Sequence, residues 1–500
     1  MPIISLTPKD FVKGISPLQG QQNGFGGFFA QATSIDTYRY PGFISPGAKP
    51  KAFTNAASMT GICYGIGEDG TGNLYAMGDR FYRITGGNAI DGSAPFPHAY
   101  SSITAVNGYA LDVILYALNG SKYIFYFSDT DIGRYDLSST FVDTWGSTGG
   151  ATGAGALNAG PHKAVLFAGC CYFTHGSYVG SIDGTTGTTY LNLTSKNSSS
   201  VGGALALPTG YIATDIKVVN GFLEITANSS NTTNYGKAII IRWDGVSTLP
   251  QETTDIDDNT VTGERILGGF PHVFTQGRSG GLVLRKKNYW GYQPVQHILG
   301  QNAPTSSMID TYAGMMAFGT PSSGNIYTYG TPFEDYSYRG TDNAGTFPTV
   351  LNSPFYSQTQ PYVIKTVNKK LVVLATAGFA TTFDPFDYSS TSAFDNGSAS
   401  FQTNFIQLPD DTSVKSIRFY FLPIAANVAF TPSIFTDYAT SGFTMPDATA
   451  STLDANGRSK TYTADQFQSP ITDTIAIGGN WANSSVYTSS AIITRIDIEY

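Results

Sequence analysis

Aromatic and β-branched residues alternate with polar ones in short runs along most of this chain, and the runs return in a fixed order. The clearest instance is KYIFYFSDTDIGRYDLS at 122–138, where an aromatic strand runs in, a polar turn reverses it, and a second strand closes on an apolar pair and Asp. Versions of that closing strand recur as FYRITG at 81–86, IGRYDL at 132–137, VGSIDG at 179–184 and IIRWDG at 240–245. Weaker ones are NYWGY at 288–292, IYTYG at 326–330 and TTFDPFD at 381–387. The mean step is about 50 residues, and a period of that length with several strands per unit predicts β-propeller blades. Seven occurrences, six steps apart in all, predict seven blades over 51–395.

Between the repeats the turn chemistry is that of hairpins. Asn107-Gly108, Asn119-Gly120 and Asn220-Gly221 each separate two strand-like runs, and Asn-Gly supplies the two positive φ angles of a tight hairpin turn. Asp183-Gly184 and Asp244-Gly245 end strands in the same way, and Asn368-Lys369 separates YVIKTV from LVVLAT. KAVLFAG from Lys163, the run 238–243 and GLVLRKK from Gly281 read as buried or half-buried strands. Apolar spacing at period 3.6 nowhere beats alternation at period 2, so no amphipathic helix is expected.

Both ends depart from the pattern. Residues 1–50 carry Phe25-Gly26-Gly27-Phe28-Phe29 and PGFISPG at 41–47. Gly and Pro at that density predict an extended, turn-rich arm lying on another surface. Residues 396–500 lose the repeat but hold two alternating strands, VKSIRFYFL at 414–422 and AIITRIDIEY at 491–500. In the latter, Ile492, Thr494, Ile496, Ile498 and Tyr500 are expected on one face and Ile493, Arg495, Asp497 and Glu499 on the other. The fold class expected is therefore all-β: an irregular seven-bladed β-propeller, an extended N-terminal arm and a C-terminal β-sandwich-like module.

Composition fits this class. The 500 residues include 31 Tyr, 32 Phe and 56 Gly, which suits strands joined by tight turns. The net charge of −8, with no basic run longer than Arg285-Lys286-Lys287, lacks the concentrated footprint that grips a nucleic-acid backbone. Cys63, Cys170 and Cys171 make no disulfide framework and read as small buried hydrophobes. The first residues lack a charged segment followed by an apolar run, so no leader peptide is expected. No apolar run is long enough for a membrane-spanning helix.

Motifs that suggest chemistry each meet a plainer reading. Gly65-Ile66-Gly67-Glu68-Asp69-Gly70 matches a dinucleotide fingerprint, but a strand follows it where a helix must open, so a turn is expected. Gly277-Arg278-Ser279-Gly280-Gly281 matches a nucleophile elbow, yet leads into a strand, and nearby His272 adds no partner. Asp255-Ile256-Asp257-Asp258-Asn259 has the acidity of a calcium loop without its Gly and Glu, and Asp129-Thr130-Asp131 is weaker still. None of the five His has zinc-ligand spacing. Only six of the 36 acidic residues are Glu, and no pair across a cleft can be picked for glycoside hydrolysis. Ser181-Ile182-Asp183-Gly184-Thr185 is a fragment of a sialidase Asp-box without the Trp or the repetition. Trp145, Trp243, Trp290 and Trp481 are dispersed, and most aromatics read as core. No catalytic, cofactor-binding or metal-ligating residue is assigned, and no enzyme activity or cofactor is expected.

The arm with PGFISPG, the blades closing in RYDL or RWDG and the end strand IITRIDIEY together resemble bacteriophage tail proteins of the propeller type, the nozzle or hub proteins of short-tailed phages. That resemblance implies a structural virion protein, made in a host cytoplasm and located in the phage tail. It implies a homo-oligomeric ring around the DNA exit channel, through which DNA passes without specific binding, and contacts to an adaptor, fibre or needle. An adhesin reading a host glycan or protein through rim loops is the second expectation, and a glycan-active propeller enzyme the third.

Overall fold

The computed structural model describes residues 2–14, 28–37, 40, 42–49, 51–101, 108–147, 156–185, 187, 189–190, 203–230, 236–278, 280–312, 314–321, 324–330, 337–340, 343–346, 350–351, 360–367, 370–375, 380–383, 394, 397, 399–426, 428–437, 439, 441–467, 471–481 and 489–500.

Among the described residues between 65 and 383 the chain makes seven antiparallel sheets of four or five strands in sequence order, each a meander of neighbouring strands, besides a two-stranded hairpin, Ser337–Gly340 with Asn343–Thr346. The first comprises Gly65–Glu68, Leu74–Met77, Phe81–Thr85 and Ala89–Ile90. The second comprises Val113–Leu118, Ser121–Phe127, Ile132–Tyr135 and Phe141–Val142. The third has Ala164–Phe167, Cys170–His175, Tyr178–Asp183 and Thr189–Tyr190, and a fifth strand, Leu205–Ala206, also pairs its third. The fourth has Tyr211–Val219, Phe222–Ser229, Ala238–Trp243 and Glu252–Ile256. The fifth has Thr260–Leu267, Phe270–Gln276, Leu282–Asn288 and Gly291–Ile298. The sixth has Ile309–Tyr312, Met315–Gly319, Ile326–Gly330 and Val350–Leu351. The seventh has Val363–Val367, Lys370–Leu374 and Ala380–Phe383, and its fourth strand is Lys51–Ala52, from the start of the chain.

The sheets pack face to face in a closed cycle. Tyr75, Phe81 and Phe96 of the first meet Ile124, Tyr126 and Tyr135 of the second. Phe125 and Phe127 meet Cys171 and Phe173 of the third, and Tyr172 meets Ile241 and Trp243 of the fourth. Ile240 meets Val261 and Val273, Phe274 meets Met316 and Phe318, and Met315 meets Leu371. Val363 and Val372 of the seventh return to Ile66 and Ala76 of the first. First strands lie beside first strands all the way round. An all-β chain with this propeller-like arrangement has its core between sheets, which is where most aromatics go. Cys63, Cys170 and Cys171 lie in these layers as buried thiols that form no disulfide. Burial and the nearby Asp183 charge push the Cys170 thiol up to about 11.

The recurring closing motif is the third strand of a sheet. Its Asp caps the turn into the fourth: Asp136 accepts the N–H groups of Ser138, Ser139 and Thr140, and Asp244 those of Val246 and Ser247. Such Asx turns fix the reversal without a partner elsewhere. In the fifth sheet the third strand is LVLRKKN, so NYWGY marks the following turn. Asn119-Gly120 and Asn220-Gly221 both have positive φ, at 49° and 79° in each pair. Asn107 and Asn368-Lys369 lie outside the described residues.

Residues 1–50 do not form the expected arm in their described parts. Ile3–Leu6 pairs with Ile493–Glu499, and Phe29–Thr33 pairs with Ser400–Thr403. A helical turn, Pro8–Phe11, drops Phe11 into the same core, and Ile44 bridges Ile493. The cause is the apolar content of the segment: Phe11, Phe28, Phe29, Ile35 and Ile44 are all buried. Two antiparallel sheets share that core. One runs Ile3–Leu6, Ile493–Glu499, Ser416–Phe421, Ser459–Thr463. The other centres on Ile471–Trp481, flanked by Ser400–Thr403, Ile406–Ser413 and Ala429–Thr436.

The last strand also differs from simple alternation. Ile493, Ile496 and Ile498 are the residues fully buried, because a bulge opposite Tyr420 and Phe421 shifts the phase by one residue.

Candidate functional site

First strands carry the side chains that reach the axis of the cycle. A cavity of about 240 Å³ opens there, lined by Lys163, Lys217, Arg265 and Lys365, by Asp112 and Asp310, and by the apolar Ile66 and Ile364. Six of the seven sheets thus supply its charged groups, each from its first strand or the residue beside it.

The carboxylates follow one rule. Asp112, Asp215 and Asp310 stand on or beside the first strands of the second, fourth and sixth sheets. Each accepts the N–H of the next residue: Val113 at 3.1 Å, Ile216 at 2.9 Å and Thr311 at 2.9 Å. Each also accepts an N–H from the first strand of the following sheet: Ala164 at 3.1 Å, Glu264 at 3.1 Å and Thr366 at 2.6 Å. The three Asp therefore bolt second to third, fourth to fifth and sixth to seventh. Sequence reading missed them because they recur at twice the repeat length, in LDV, TDI and IDT, and carry no glycine or aromatic neighbour in common.

The cations are unequally committed. Arg265 donates to Asp215 at 2.8 Å and to the carbonyl oxygens of Glu264, Ser306 and Ile309. Lys163 donates to Leu111 O at 2.8 Å and lies 3.4 Å from Asp112. Lys217 Nζ is 3.2 Å from Asp215. Lys365 makes no ion pair among the described residues. Burial pushes the Asp215 carboxyl up, but Lys217, Arg265 and Lys163 outweigh it and hold its pKa below the ordinary value. Burial pulls the Lys217 ammonium below its ordinary value; Asp215 opposes this, while Arg265 and Lys163 add to it.

A second polar cluster ties the first sheet to the second. Asp143 accepts from His98 Nε2 at 2.9 Å, Tyr126 OH at 2.6 Å, and Ser101 N and Oγ at 2.7 and 2.9 Å. His98 stacks on Phe141 at 3.7 Å. The carboxylate is the hub, so this Ser-His-Asp set does not form the Ser–His–Asp relay that activates a nucleophile.

The third cluster lies between the fourth and fifth sheets. Tyr292 OH is 3.1 Å from Glu224 Oε2 and 3.2 Å from Glu264 Oε1, and Lys287 Nζ is 3.0 Å from Glu224. Both Glu are buried, at 1% and 0% exposure, so no sugar reaches between them. Burial first, then the charges of Glu224 and Asp215, push the Glu264 pKa well above its ordinary value. The folded chain therefore keeps a proton that the unfolded chain releases near the ordinary glutamate pKa. Stability is full below that point and falls as pH rises towards the folded pKa, by about 1.4 kcal/mol per pH unit for one such group. Urea titrations from pH 5 to 8 are expected to show Glu264→Gln gaining on the parent as pH rises; parallel curves would refute the assignment.

The remaining motifs take their plain readings where they are described. Gly65–Glu68 is a strand where a turn was expected, and the turn follows it, with a positive φ of 75° at Gly70. A Cβ at Gly67 would sit within 1.8 Å of Val113 O, so glycine permits the first two sheets to touch. Ser279 lies outside the described residues, between hairpin strands ending at Gln276 and starting at Leu282. His272 is buried and meets Phe270 O. The acidic run diverges: Asp255 and Asp257 face solvent near Lys237, while Asp258 pairs with Arg285 at 2.7 Å. Among the described residues no three His, Cys, Asp or Glu side chains are grouped to hold a metal. No described helix is long and apolar enough to cross a membrane.

One feature of the outer surface stands apart. Phe270, Tyr289 and Trp290, at the two same-end turns of the fifth sheet, are 50%, 91% and 80% exposed. Lys286 lies 4.3 Å over the Phe270 ring.

No protein-family model and no curated protein matches this chain. Among solved structures it is similar to the extracellular domain of a hybrid two-component system from B. thetaiotaomicron, at 13% identity and TM-score 0.42, over 82% of this chain and 48% of that one. The chain thus spans about half the length of that domain. It is similar to the WD40 β-propeller domain of Doa1 at 9% identity and TM-score 0.38, over 67% of this chain and 95% of that one. It is also similar to an exo-β-1,3-galactanase from Phanerochaete chrysosporium at 10% identity and TM-score 0.29, over 70% and 98%. The fold assignment rests on the strand order and the closed cycle of sheet contacts rather than on these likenesses.

Proposed function

We propose that the seven sheets are the blades of one irregular seven-bladed β-propeller spanning 51–395, that 396–500 is its β-sandwich-like module, and that the protein is a structural, non-enzymatic component of a phage tail. In this reading it is a nozzle or hub subunit, part of a homo-oligomeric ring around the DNA exit channel, and it anchors an adaptor, fibre or needle. The observation that carries the reading is the use made of buried charge. The three Asp at the axis and Asp143 are each spent on joining one sheet to the next, and Asp258, in the link from the fourth sheet to the fifth, is held by Thr275 and Arg285 of the fifth. That is what a load-carrying disc requires. The resemblance of PGFISPG, RYDL, RWDG and IITRIDIEY to tail propellers supplies the location. A narrow axial cavity supports a channel formed between subunits rather than through one of them. Particle reconstruction is the test: density for this chain in a ring at the tail tip is expected, and its absence from purified virions would end the proposal.

A second reading, the host-binding adhesin, is favoured by Phe270, Tyr289 and Trp290. Exposed aromatic faces of this kind stack on sugars or anchor protein partners. Purified protein would then bind host cells and block adsorption, and Trp290→Ala would weaken both.

A further inference from the structure

We propose that the axial cavity is a binding site for one small oxyanion, a carboxylate or phosphate group, held by Lys217 and Lys365 with Lys163 behind them. The charge balance points to an anion. Four cations, Lys163, Lys217, Arg265 and Lys365, face three carboxylates, Asp112, Asp215 and Asp310, at the axis. Each carboxylate is held in place by two backbone N–H groups, and the three of them leave one positive charge unbalanced. Arg265 is turned into the wall, where carbonyl oxygens and Asp215 take up its donors.

Lys217 and Lys365 differ. Lys217 touches one carboxylate, and Lys365 has no ion-pair partner among the described residues, so most of their N–H donors are open to the cavity. An ammonium crowded by Arg265 and Lys163 gains most from a nearby negative charge, and the depressed Lys217 pKa has that crowding among its causes. A volume of about 240 Å³ holds about eight waters at ~30 Å³ each, enough for a phosphate or short carboxylate with water left over. Ile66 and Ile364 on the wall exclude some of that water and strengthen the attraction. The site is independent of the tail assignment, since it would exist in any role of the propeller.

Isothermal titration calorimetry on the full chain tests this, with inorganic phosphate, malonate and neutral glycerol as probes at ionic strength held constant with chloride. Saturable binding of phosphate, malonate or both is expected, none of glycerol, and at least a tenfold loss in Lys217→Met and Lys365→Met. Phosphate alone or malonate alone would name the group. Lys365→Met removes a half-buried, unpaired side chain and keeps the test valid should Lys217→Met unfold. No saturable binding by either anion, or equal affinity in the parent and Lys365→Met, overturns the proposal.

Discussion

Deleting residues 1–49 is expected to unfold the C-terminal sheets rather than to release a free arm. The deletion removes Leu6, Phe11, Phe28, Phe29, Ile35 and Ile44 from one core. Full burial of each such side chain is worth about 1.5–3 kcal/mol. Six of them together reach the 5–15 kcal/mol that holds a typical domain. The deletion also strips Ile3–Leu6 from Ile493–Glu499 and Phe29–Thr33 from Ser400–Thr403, leaving two open strand edges. Soluble yield, size-exclusion profile and thermal melting, compared with the full chain, give the readout. Aggregation or loss of a melting transition is the expected result. A soluble truncated protein with the parent melting temperature, changed only in oligomeric state, would restore the arm.

The second large effect is expected at the axis. Asp215→Ala should cost about 3–5 kcal/mol, because removing one partner of a buried ion pair leaves the other uncompensated. Here two cations are stranded, Arg265 at 2.8 Å and Lys217 at 3.2 Å, and the N–H groups of Ile216 and Glu264 lose their acceptor. Asp257→Ala is the matched control. Its exposed carboxylate lies 3.6 Å from Lys237, and its loss should stay within about 0.5 kcal/mol. Urea midpoints measured side by side would separate the two, and similar small shifts in both would show that the axial bolt carries little of the stability.

The third strands were legible because each ends in its own local turn chemistry, as at Asp136 and Asp244. The fifth sheet slipped by half a hairpin because its third strand, LVLRKKN, lacks the Asp, while the aromatic turn after it imitates the motif. Residues 1–50 were misread for a related reason. Their Phe and Ile residues are separated by Gly and Pro, so they show no period, yet they bury singly among strands far along the chain. The axial site was the least legible part. Its charges come from six sheets, and only ring closure brings Lys163 and Lys365 to one cavity. The placing of Phe270, Tyr289 and Trp290 at one end of the fifth sheet was hidden likewise, since they belong to two separate turns.

The seventh sheet borrows Lys51–Ala52, and the C-terminal sheets borrow strands from the first 33 residues. On the ribosome those early strands emerge long before the segments they pair with, at 380–383, 400–403 and 493–499. They must wait unpaired while the intervening sheets, six for Lys51–Ala52 and seven for the earlier strands, are made. Loop-closure entropy makes such distant pairings slow, and waiting edges invite aggregation. This protein should therefore gain its native state only once residues 493–499 have been made, and cultures grown cold, with translation slowed and chaperones in excess, should raise its recovered yield.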